Sequence, residues 1–311
     1  MEHGITQSAL VTAGRDAEQI AHLFMVMMAG AVVIWVAVVA VAVYAIHTKR
    51  GEHTQREANL FVVGGGVVFP TAVLAALLWY GLPMLPEVMA LPPEGAMRIH
   101  VTGKQWWWRI EYLTPAGPIE TANELRLPVG QRVELQLTSP DVIHSFWVPS
   151  LAGKMDMIPG RITRLALEPT RPGIFRGACA EYCGASHALM AFLVVVTDEA
   201  EFQHWLDGQA APAQTPGDDI SARGRDGFLA NGCTACHTIR GTPAAGRVGP
   251  DLTHVASRLQ IGAATLPNEP EALARWIGET DRIKPGVHMP AFRALQPDEL
   301  RAIAAYLGSL R

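Results

Sequence analysis

The sequence has little charge, and the charge it has is nearly balanced. Aspartate, glutamate, lysine and arginine make up only 17% of the residues, and the formal net charge is −4. There is no cluster of basic residues that could follow a phosphate backbone. Nucleic-acid binding is therefore excluded as a class. The apolar share is high at 49%, and it is not spread evenly along the chain.

Two long stretches lack charged side chains almost entirely. Residues 20–46 are apolar apart from His22, and residues 60–82 form a second uncharged run. Each exceeds the roughly 20 residues that span a bilayer as a helix. Pro70 lies in the second run, where a membrane helix tolerates it because neighbouring groups satisfy the freed carbonyl. The sequence therefore predicts a transmembrane hairpin within residues 1–94.

Basic side chains indicate how this hairpin is oriented. Lys49, Arg50 and Arg56 lie in the short connection between the two runs. By the positive-inside rule this connection is cytoplasmic, so everything after about residue 90 faces the opposite side. A cleaved signal peptide fits the first run less well, because its apolar core is too long and the basic residues follow it. A pair of buried helices in a soluble core is the other alternative.

The middle of the chain, residues 95–200, has a β pattern. Arg132–Leu137 alternates polar and apolar residues, and Ala191–Val196 is a short apolar run typical of a buried strand. Turn signals that contain proline or glycine recur often between such segments. Short strands with frequent turns predict a β-sandwich or barrel.

The last third of the chain changes character. Residues 201–219 are the predicted linker, because their second half is dominated by Ala, Pro, Gln, Gly and Asp. Helical patterns follow over residues 220–231, 269–278 and 297–307. The last of these opens on Pro297 with acidic residues in its first turn, which is a reasonable helix start.

The chain has only four cysteines, and two of them lie in a segment rich in soft ligands. Cys179, Cys183, His187 and Met190 fall within twelve residues. Thiolate and thioether suit copper, and imidazole suits it equally well. A structural disulfide and a zinc site are the alternatives. His144 stands alone upstream among aromatic and apolar residues, as a buried metal ligand would.

The other two cysteines form a C-x-x-C-H motif, which is typical of covalent haem c attachment. Cys233 and Cys236 would form thioethers to the haem, and His237 would be the proximal iron ligand. Zinc binding and a thiol–disulfide couple are the rival interpretations. Met289 is the only methionine after this motif, so it is the expected distal ligand. The alternatives are His288 and His254.

On these residues the sequence resembles subunit II of haem–copper cytochrome c oxidases, in the caa3-type form with a fused C-terminal cytochrome c. The resemblance implies a two-helix transmembrane hairpin, an all-β cupredoxin-like Greek-key barrel and an all-α class I cytochrome c domain. These parts would occupy residues 1–94, 95–200 and 220–311, with 201–219 as the linker. The chain would be a multi-pass protein of a bacterial cell membrane, with both redox domains on the periplasmic side.

The resemblance also implies a dinuclear copper centre, CuA. Cys179 and Cys183 would supply the bridging thiolates, and His144 and His187 the terminal imidazoles. The weak axial ligands would be Met190 and the backbone carbonyl of Glu181. The Glu181 side chain would reach a Mg²⁺ or Mn²⁺ ion at the interface with subunit I. Two copper ions that share two thiolates delocalise one electron, so little rearrangement accompanies each transfer, and weak axial ligands tune the potential.

The stretch Gly103–Arg109 resembles the family's aromatic motif for electron entry. Trp106 aligns with the tryptophan that meets a docked cytochrome, and it is the expected entry residue. The alternative is a core aromatic cluster, which we favour for Trp107 and Trp108. Lys104 departs from the family pattern, which commonly has histidine there.

The function implied by the resemblance is that of the electron-input subunit of a respiratory terminal oxidase. A cytochrome c donor would reduce the haem c, and electrons would pass through CuA to subunit I, which reduces O2 to water and pumps protons. Subunit III and the lipid bilayer are further expected partners. The alternatives are the CuA-bearing subunit of a nitric oxide reductase and a membrane-anchored copper or thiol assembly chaperone.

One departure from the family lies in the second membrane run. Many relatives carry a glutamate there, at the mouth of a proton pathway, at the positions that Val63 and Gly64 occupy here. Neither side chain can carry a proton. We therefore expect the pathway to start elsewhere or to be differently built, with Glu57 as the candidate substitute.

Overall fold

The protein is described by a computed structural model that covers residues 4–48, 51 and 54–311. It divides into two compact units, of which one holds residues 18–90 and the other holds the remaining described residues. Lys49 and Arg50, on which the predicted orientation of the hairpin partly depends, lie outside the described residues. The three-part fold predicted from the sequence is confirmed: two apolar helices, a cupredoxin-like β domain and a helical cytochrome c domain.

Two candidate membrane spans dominate the smaller unit. Helix α1 runs over Arg15–His47, and a second, segmented helix runs over Gln55–Val88. Its segments are α2 (Gln55–Val63), a π-helical stretch (Gly64–Val68), α3 (Phe69–Gly81), a 3-10 turn (Leu82–Met84) and α4 (Leu85–Val88). Both spans are long and apolar enough to cross a membrane, and the most apolar part of each is exposed along its whole length.

The second span begins earlier than its apolar run. Thr54 and Glu57 form a capping box, in which the Glu57 amide donates to Thr54 Oγ1 over 3.3 Å and the Thr54 amide donates to Glu57 Oε2 over 2.9 Å. This reciprocal cap satisfies amides that the first helical turn would otherwise leave open. The Phe69 amide donates to Gly64 O, which shifts the hydrogen-bond ladder just before Pro70.

The β domain consists of two five-stranded sheets packed face to face. The first sheet has the order β3-β2-β1-β5-β8, formed by Gly117–Ala122, Trp107–Thr114, Arg98–Lys104, Val133–Thr138 and Thr163–Leu167. The second has the order β4-β10-β9-β6-β7, formed by Glu124–Pro128, Ala191–Thr197, Gly173–Cys179, His144–Trp147 and Met155–Met157. Inward-facing side chains of both sheets form one apolar core.

Three aromatic rings mark the centre of this core. Trp108, Phe146 and Phe192 are fully buried. The Trp108 ring centroid lies 4.9 Å from that of Phe192 and 5.9 Å from that of Phe146. Trp108 therefore has the core position that we favoured for it. Trp107 is only half-buried, between the cationic groups of Lys104 and Arg109.

The first half of the predicted linker, residues 201–219, is helical. Helix α5 spans Glu199–Ala210 and is capped by Asp198, whose side chain accepts from the Glu201 amide. Its apolar residues Phe202 and Leu206 are buried against the β domain. The sequence gives little sign of this helix, because two buried side chains one turn apart suffice to hold a helix against an existing surface.

The cytochrome domain is formed by three helices and a small hairpin. The helices are α6 (Asp219–Ala230), α7 (Pro270–Ile283) and α8 (Pro297–Ser309), and the hairpin pairs β11 (Gln260–Ile261) with β12 (Leu266–Pro267). Helices α6 and α8 cross at Gly224, where an added Cβ would lie 1.9 Å from the carbonyl oxygen of Ala302. The crossing therefore requires a residue without a side chain.

Gly224→Ala should destabilise the cytochrome domain, because the methyl group meets the backbone of α8. Overpacking of this kind typically costs about 1–3 kcal/mol, and about 1 kcal/mol lowers the melting temperature of a domain this size by roughly 4–8 °C. Differential scanning calorimetry measures the shift. Gly208→Ala, in a helix where nothing lies within 4 Å of the added Cβ, is the control and should melt like the wild type. Equal melting of both variants would contradict the tight crossing.

Candidate copper and haem centres

The strand pairing of the β domain brings the predicted copper ligands to one end of the second sheet. β9 ends at Cys179 and β10 begins at Ala191, and the two strands are antiparallel neighbours. The segment between them carries the other thiol, the second imidazole and the thioether. β6 pairs with the other edge of β9, with Phe146 opposite Cys179, so that His144 lies beside the same segment.

All six predicted copper-ligand groups lie in one cluster. The sulfur atoms of Cys179 and Cys183 are 3.8 Å apart. The remaining close contacts are Cys179 Sγ with His144 Nδ1 at 3.8 Å and with Glu181 O at 3.2 Å, and Cys183 Sγ with His187 Nδ1 at 3.5 Å and with Met190 Sδ at 3.7 Å. His144, both cysteines and Met190 are buried. The cysteines are free thiols at this separation, so the disulfide alternative does not apply.

The two thiols affect each other's protonation. A hydrogen bond from the Cys183 thiol, opposed by burial and assisted by His144, lowers the pKa of Cys179. The same hydrogen bond, together with burial, raises the pKa of the Cys183 thiol. A bound cation would favour ionisation of both, since thiolate is the form that ligates metal. The cluster offers six donor groups: two thiolates, two imidazoles, one thioether and one carbonyl oxygen. Such a set fits a two-copper centre better than a four-coordinate zinc ion.

Asp141 contacts a candidate ligand and does not stand out in the sequence. Its Oδ1 lies 2.8 Å from His144 Nε2, so that Nδ1 of the same ring faces Cys179. Burial alone would raise the pKa of Asp141, but hydrogen bonds from His144 and from the amides of Gln105 and Val142 lower it to about 2. A carboxylate on the far nitrogen fixes the tautomer and orientation of a metal-binding imidazole. The i, i+3 spacing of the two residues was the available signal.

The C-x-x-C-H motif lines a cavity of about 360 Å³, which is bounded mostly by the cytochrome domain and on one side by Trp106 and its neighbours in the β domain. His237 Nδ1 donates to Pro250 O over 2.8 Å, which leaves Nε2 for a metal ion. Burial lowers the pKa of His237, which favours the neutral, ligating form. An added Cβ on Gly249 would lie 2.6 Å from this ring, so the backbone packs closely against the imidazole.

The cavity also contains the expected distal ligand. Met289 and His288 both line it. His254 does not, because its two ring nitrogens face the carbonyl oxygens of Arg311 and Ala211 at 2.9 and 3.0 Å. Of the two histidine alternatives, only His288 is therefore near the space that a haem would occupy.

A buried cationic group fits a haem in this cavity. Arg258 lines the cavity, and its Nε has no hydrogen-bond partner among the residues that the structure describes. Buried polar groups left without a partner are costly, and the carboxylate side chains of a haem would supply an acceptor for Arg258. Arg258 does not stand out in the sequence, because a single arginine outside any motif is usually a surface residue.

Trp106 lies between the two candidate centres. Its Nε1 donates to Cys183 O over 3.0 Å, its ring lines the haem cavity, and its centroid is 6.4 Å from that of His288. Only 6% of the residue is exposed. Gly286 makes the close packing possible, because an added Cβ there would lie 2.9 Å from the indole. The chain's own cytochrome domain therefore covers the ring that the resemblance assigns to a docked cytochrome.

Glu181 and Tyr182 form the exposed edge of the copper-ligand segment. The Tyr182 residue is 76% exposed, and its ring centroid lies 5.7 Å from that of His187. The Glu181 carbonyl faces Cys179 while the residue as a whole is exposed. Its side chain is thus available to a group outside the chain, and the expected Mg²⁺ or Mn²⁺ contact stays a prediction.

Comparisons with known proteins identify the family of the chain. Residues 115–197 match the family of the cytochrome c oxidase subunit II periplasmic domain, and residues 221–311 match the cytochrome c family. Cytochrome c oxidase subunit 2 of Bacillus subtilis is 31% identical over 285 residues, which cover 85% of this chain and 79% of that protein. The chain belongs to the cytochrome c oxidase subunit 2 family, in the form with a fused cytochrome c domain that fits the caa3 type.

Two further relatives cover less. Cytochrome c oxidase subunit 2 of Alkalihalophilus pseudofirmus is 37% identical over 218 residues, 70% of this chain and 62% of that protein. A crystal structure of the periplasmic domain of subunit II of cytochrome oxidase from Bradyrhizobium japonicum is 32% identical, covers 38% of this chain and 96% of that one, and has a TM-score of 0.36.

Asp141→Asn should weaken copper binding while leaving the fold intact. The side-chain amide of asparagine carries no charge, and it orients the His144 ring less well than the carboxylate does. Loss of such an outer carboxylate typically costs about 10–100-fold in metal affinity. Competition with a chelator measures the affinity. Asp156→Asn is the control, since Asp156 accepts from Ser145 Oγ and Lys154 Nζ and contacts none of the predicted ligands. An unchanged affinity in Asp141→Asn would contradict the role of this carboxylate.

Proposed function

We propose that this chain is the electron-input subunit of a respiratory haem–copper oxidase. It would take electrons from a cytochrome c donor and deliver them, by way of haem c and CuA, to subunit I, where O2 is reduced to water with proton pumping. The observation that carries the proposal is the position of Trp106, which touches the copper-ligand segment and lines the haem cavity. Two ligand sets that share one buried tryptophan suit a relay.

The residues that would hold the two groups follow from the geometry. CuA would be held by the cluster of His144, Cys179, Glu181 O, Cys183, His187 and Met190. Haem c would be held by Cys233, Cys236, His237 and Met289. When bound, both groups supply reversible one-electron chemistry at the iron and copper ions, and methionine ligation raises the haem potential relative to two histidines.

The protein's own contribution is to hold these ligands still and dry. Cys183 O accepts from Gln105 Nε2 over 2.7 Å and from Trp106 Nε1 over 3.0 Å, which fixes the ligand segment from outside. Asp141 fixes the His144 ring, and Pro250 fixes the His237 ring. Ligands that do not move when the charge of a metal changes keep the rearrangement small, and this is the physical requirement for a relay.

Burial of the ligands also counts against the assembly-chaperone alternative. A chaperone needs an exposed site from which it can hand over its metal. The residues Cys179 and Cys183 are 6% and 3% exposed, and His144 is inaccessible. We place both redox domains on the periplasmic side of a bacterial cell membrane, with the two apolar spans in the lipid bilayer and with subunits I and III as partners. The Glu181 side chain would face subunit I, where it could bind Mg²⁺ or Mn²⁺.

The chain purified with its partner subunits tests this proposal through two spectra. A pyridine haemochrome assay should report one haem c per chain, and near-infrared absorbance should report mixed-valence copper. Absence of both signals from the protein purified with its partner subunits would overturn the proposal.

Met289→Leu should leave the haem attached, because the thioether bonds come from Cys233 and Cys236. The haem potential should shift and copper reduction should slow, because the iron loses its sulfur ligand. A redox titration and stopped-flow absorbance measure the two effects. Met155→Leu, a half-buried methionine of β7 that does not line the cavity, is the matched control and should behave like the wild type. An unchanged potential in Met289→Leu would rule out this residue as the distal ligand.

Cys183→Ser should abolish the mixed-valence copper signal and leave the haem spectrum intact, because a hydroxyl cannot replace a bridging thiolate. Electron paramagnetic resonance follows the copper signal, and the haem absorbance of the same sample is the internal control for folding. A retained mixed-valence signal would show that Cys183 does not bridge the copper ions.

A further inference from the structure

Lys284 is a buried lysine with an unusual position. It directly follows α7 and precedes the loop that leads to Met289, and it is only 1% exposed. Its Nζ donates to Leu189 O and to Gly262 O, both over 2.9 Å. Leu189 lies in the copper-ligand segment, directly before Met190, and Gly262 lies in the turn of the small hairpin of the cytochrome domain. One ammonium group thus joins backbone carbonyls of the two redox domains.

The burial of this group needs an explanation. Desolvation lowers the pKa of Lys284 to about 7, and no acidic side chain pairs with it among the described residues. Removing an unpaired ammonium from water is costly, and an apolar side chain of similar length would fill the same space without that cost. What a lysine offers and an apolar residue lacks is the pair of hydrogen bonds to the two domains.

A second contact joins the same two segments. Ser186 Oγ donates to Pro285 O over 2.6 Å. The next residue, Gly286, has a φ of +80° and lies so close to Trp106 that only glycine fits. Two consecutive residues of the Met289 loop therefore hydrogen bond to the segment that carries His187 and Met190, directly beside the tryptophan that lies between the centres.

From these contacts, and resting on the function proposed above, we infer that Lys284 is a positioning residue for electron transfer within the chain. It fixes the Met289 loop against the copper-ligand segment, and so it sets the separation and orientation of the two ligand sets. Other contacts hold the domains together elsewhere, including Arg109 with Gly249 O and Leu259 N with Glu124 Oε2. Loss of Lys284 should therefore loosen this contact locally without separating the domains.

Lys284→Met in the full-length subunit tests the inference. The haem and copper spectra should stay unchanged, while the rate of copper reduction by photoreduced haem should fall, because the two ligand sets are no longer held at one separation. Hydrogen exchange gives a readout that needs no cofactor. The amides of His187, Leu189 and Met190, which are bonded within the segment, should exchange about tenfold faster in metal-free Lys284→Met.

The controls separate positioning from general damage. Lys154→Met removes an exposed lysine of the β domain and should change neither readout. Lys284→Gln keeps an N–H donor and should recover part of the rate. Ser186→Ala removes the neighbouring bond without touching the buried amine, and it should slow the transfer in the same direction. If Lys284→Met fails to fold, Ser186→Ala decides the question by the same two measurements.

Three outcomes would overturn the inference. Wild-type transfer and exchange rates in Lys284→Met would show that the contact sets nothing. A shifted haem spectrum with unchanged exchange would show that Lys284 serves the haem cavity, which it also lines, and not the contact between the domains. If Lys284→Met does not fold, wild-type transfer and exchange rates in Ser186→Ala would show that the contact between the two segments sets nothing. Failure of the proposed function is distinguishable, because wild-type protein would then lack the haem or copper signal, whereas the exchange readout would still report on the contact.

Discussion

The hydrogen bond from the Cys179 amide to Met190 O, at 2.9 Å, closes the segment that carries most of the candidate copper ligands and that the cytochrome domain contacts. It is the last bond of the β9–β10 ladder, and the ten residues between its ends belong to no strand. Closing a short loop restricts every side chain in it. The ladder thus brings two thiols, an imidazole and a thioether to one point, and the pairing of β6 with β9 adds the second imidazole.

The segment is held in place by groups outside it. Gln105 and Trp106 donate to Cys183 O from the strand-connecting turn of the first sheet, and Lys284 donates to Leu189 O from the cytochrome domain. These are main-chain acceptors, so the side chains of the segment remain available for metal ions. A loop whose carbonyls are already satisfied has few alternative conformations, and ligands arranged in this way are largely in position before any metal arrives.

Residue chemistry in the sequence pointed to the candidate ligands that the fold brings together, whereas contacts between distant segments stayed hidden. Soft ligands at short spacing marked Cys179 and Met190 as candidates, and the shortage of charge marked the candidate membrane spans. Three charged residues were not predicted, because each stands alone in a stretch that is typical of a turn or a surface: Asp141, Arg258 and Lys284. Their roles depend on groups brought near by tertiary folding, and no periodicity in the sequence encodes those contacts. Helix α5 was not predicted for a related reason, since the face that it buries is determined by the surface of the β domain against which it packs.

The covered position of Trp106 has a consequence for how a donor protein can act. The ring lies under Gly286, so a soluble cytochrome has no access to it while the chain's own domain is in place. A tethered partner does not need electrostatic steering, because the tether keeps its effective concentration high. Residues 220–311 carry similar numbers of acidic and basic side chains, which agrees with a domain selected for permanent contact rather than for encounter. An external donor would therefore have to deliver its electron at the outer face of the cytochrome domain, and its binding surface must be sought there rather than around Trp106.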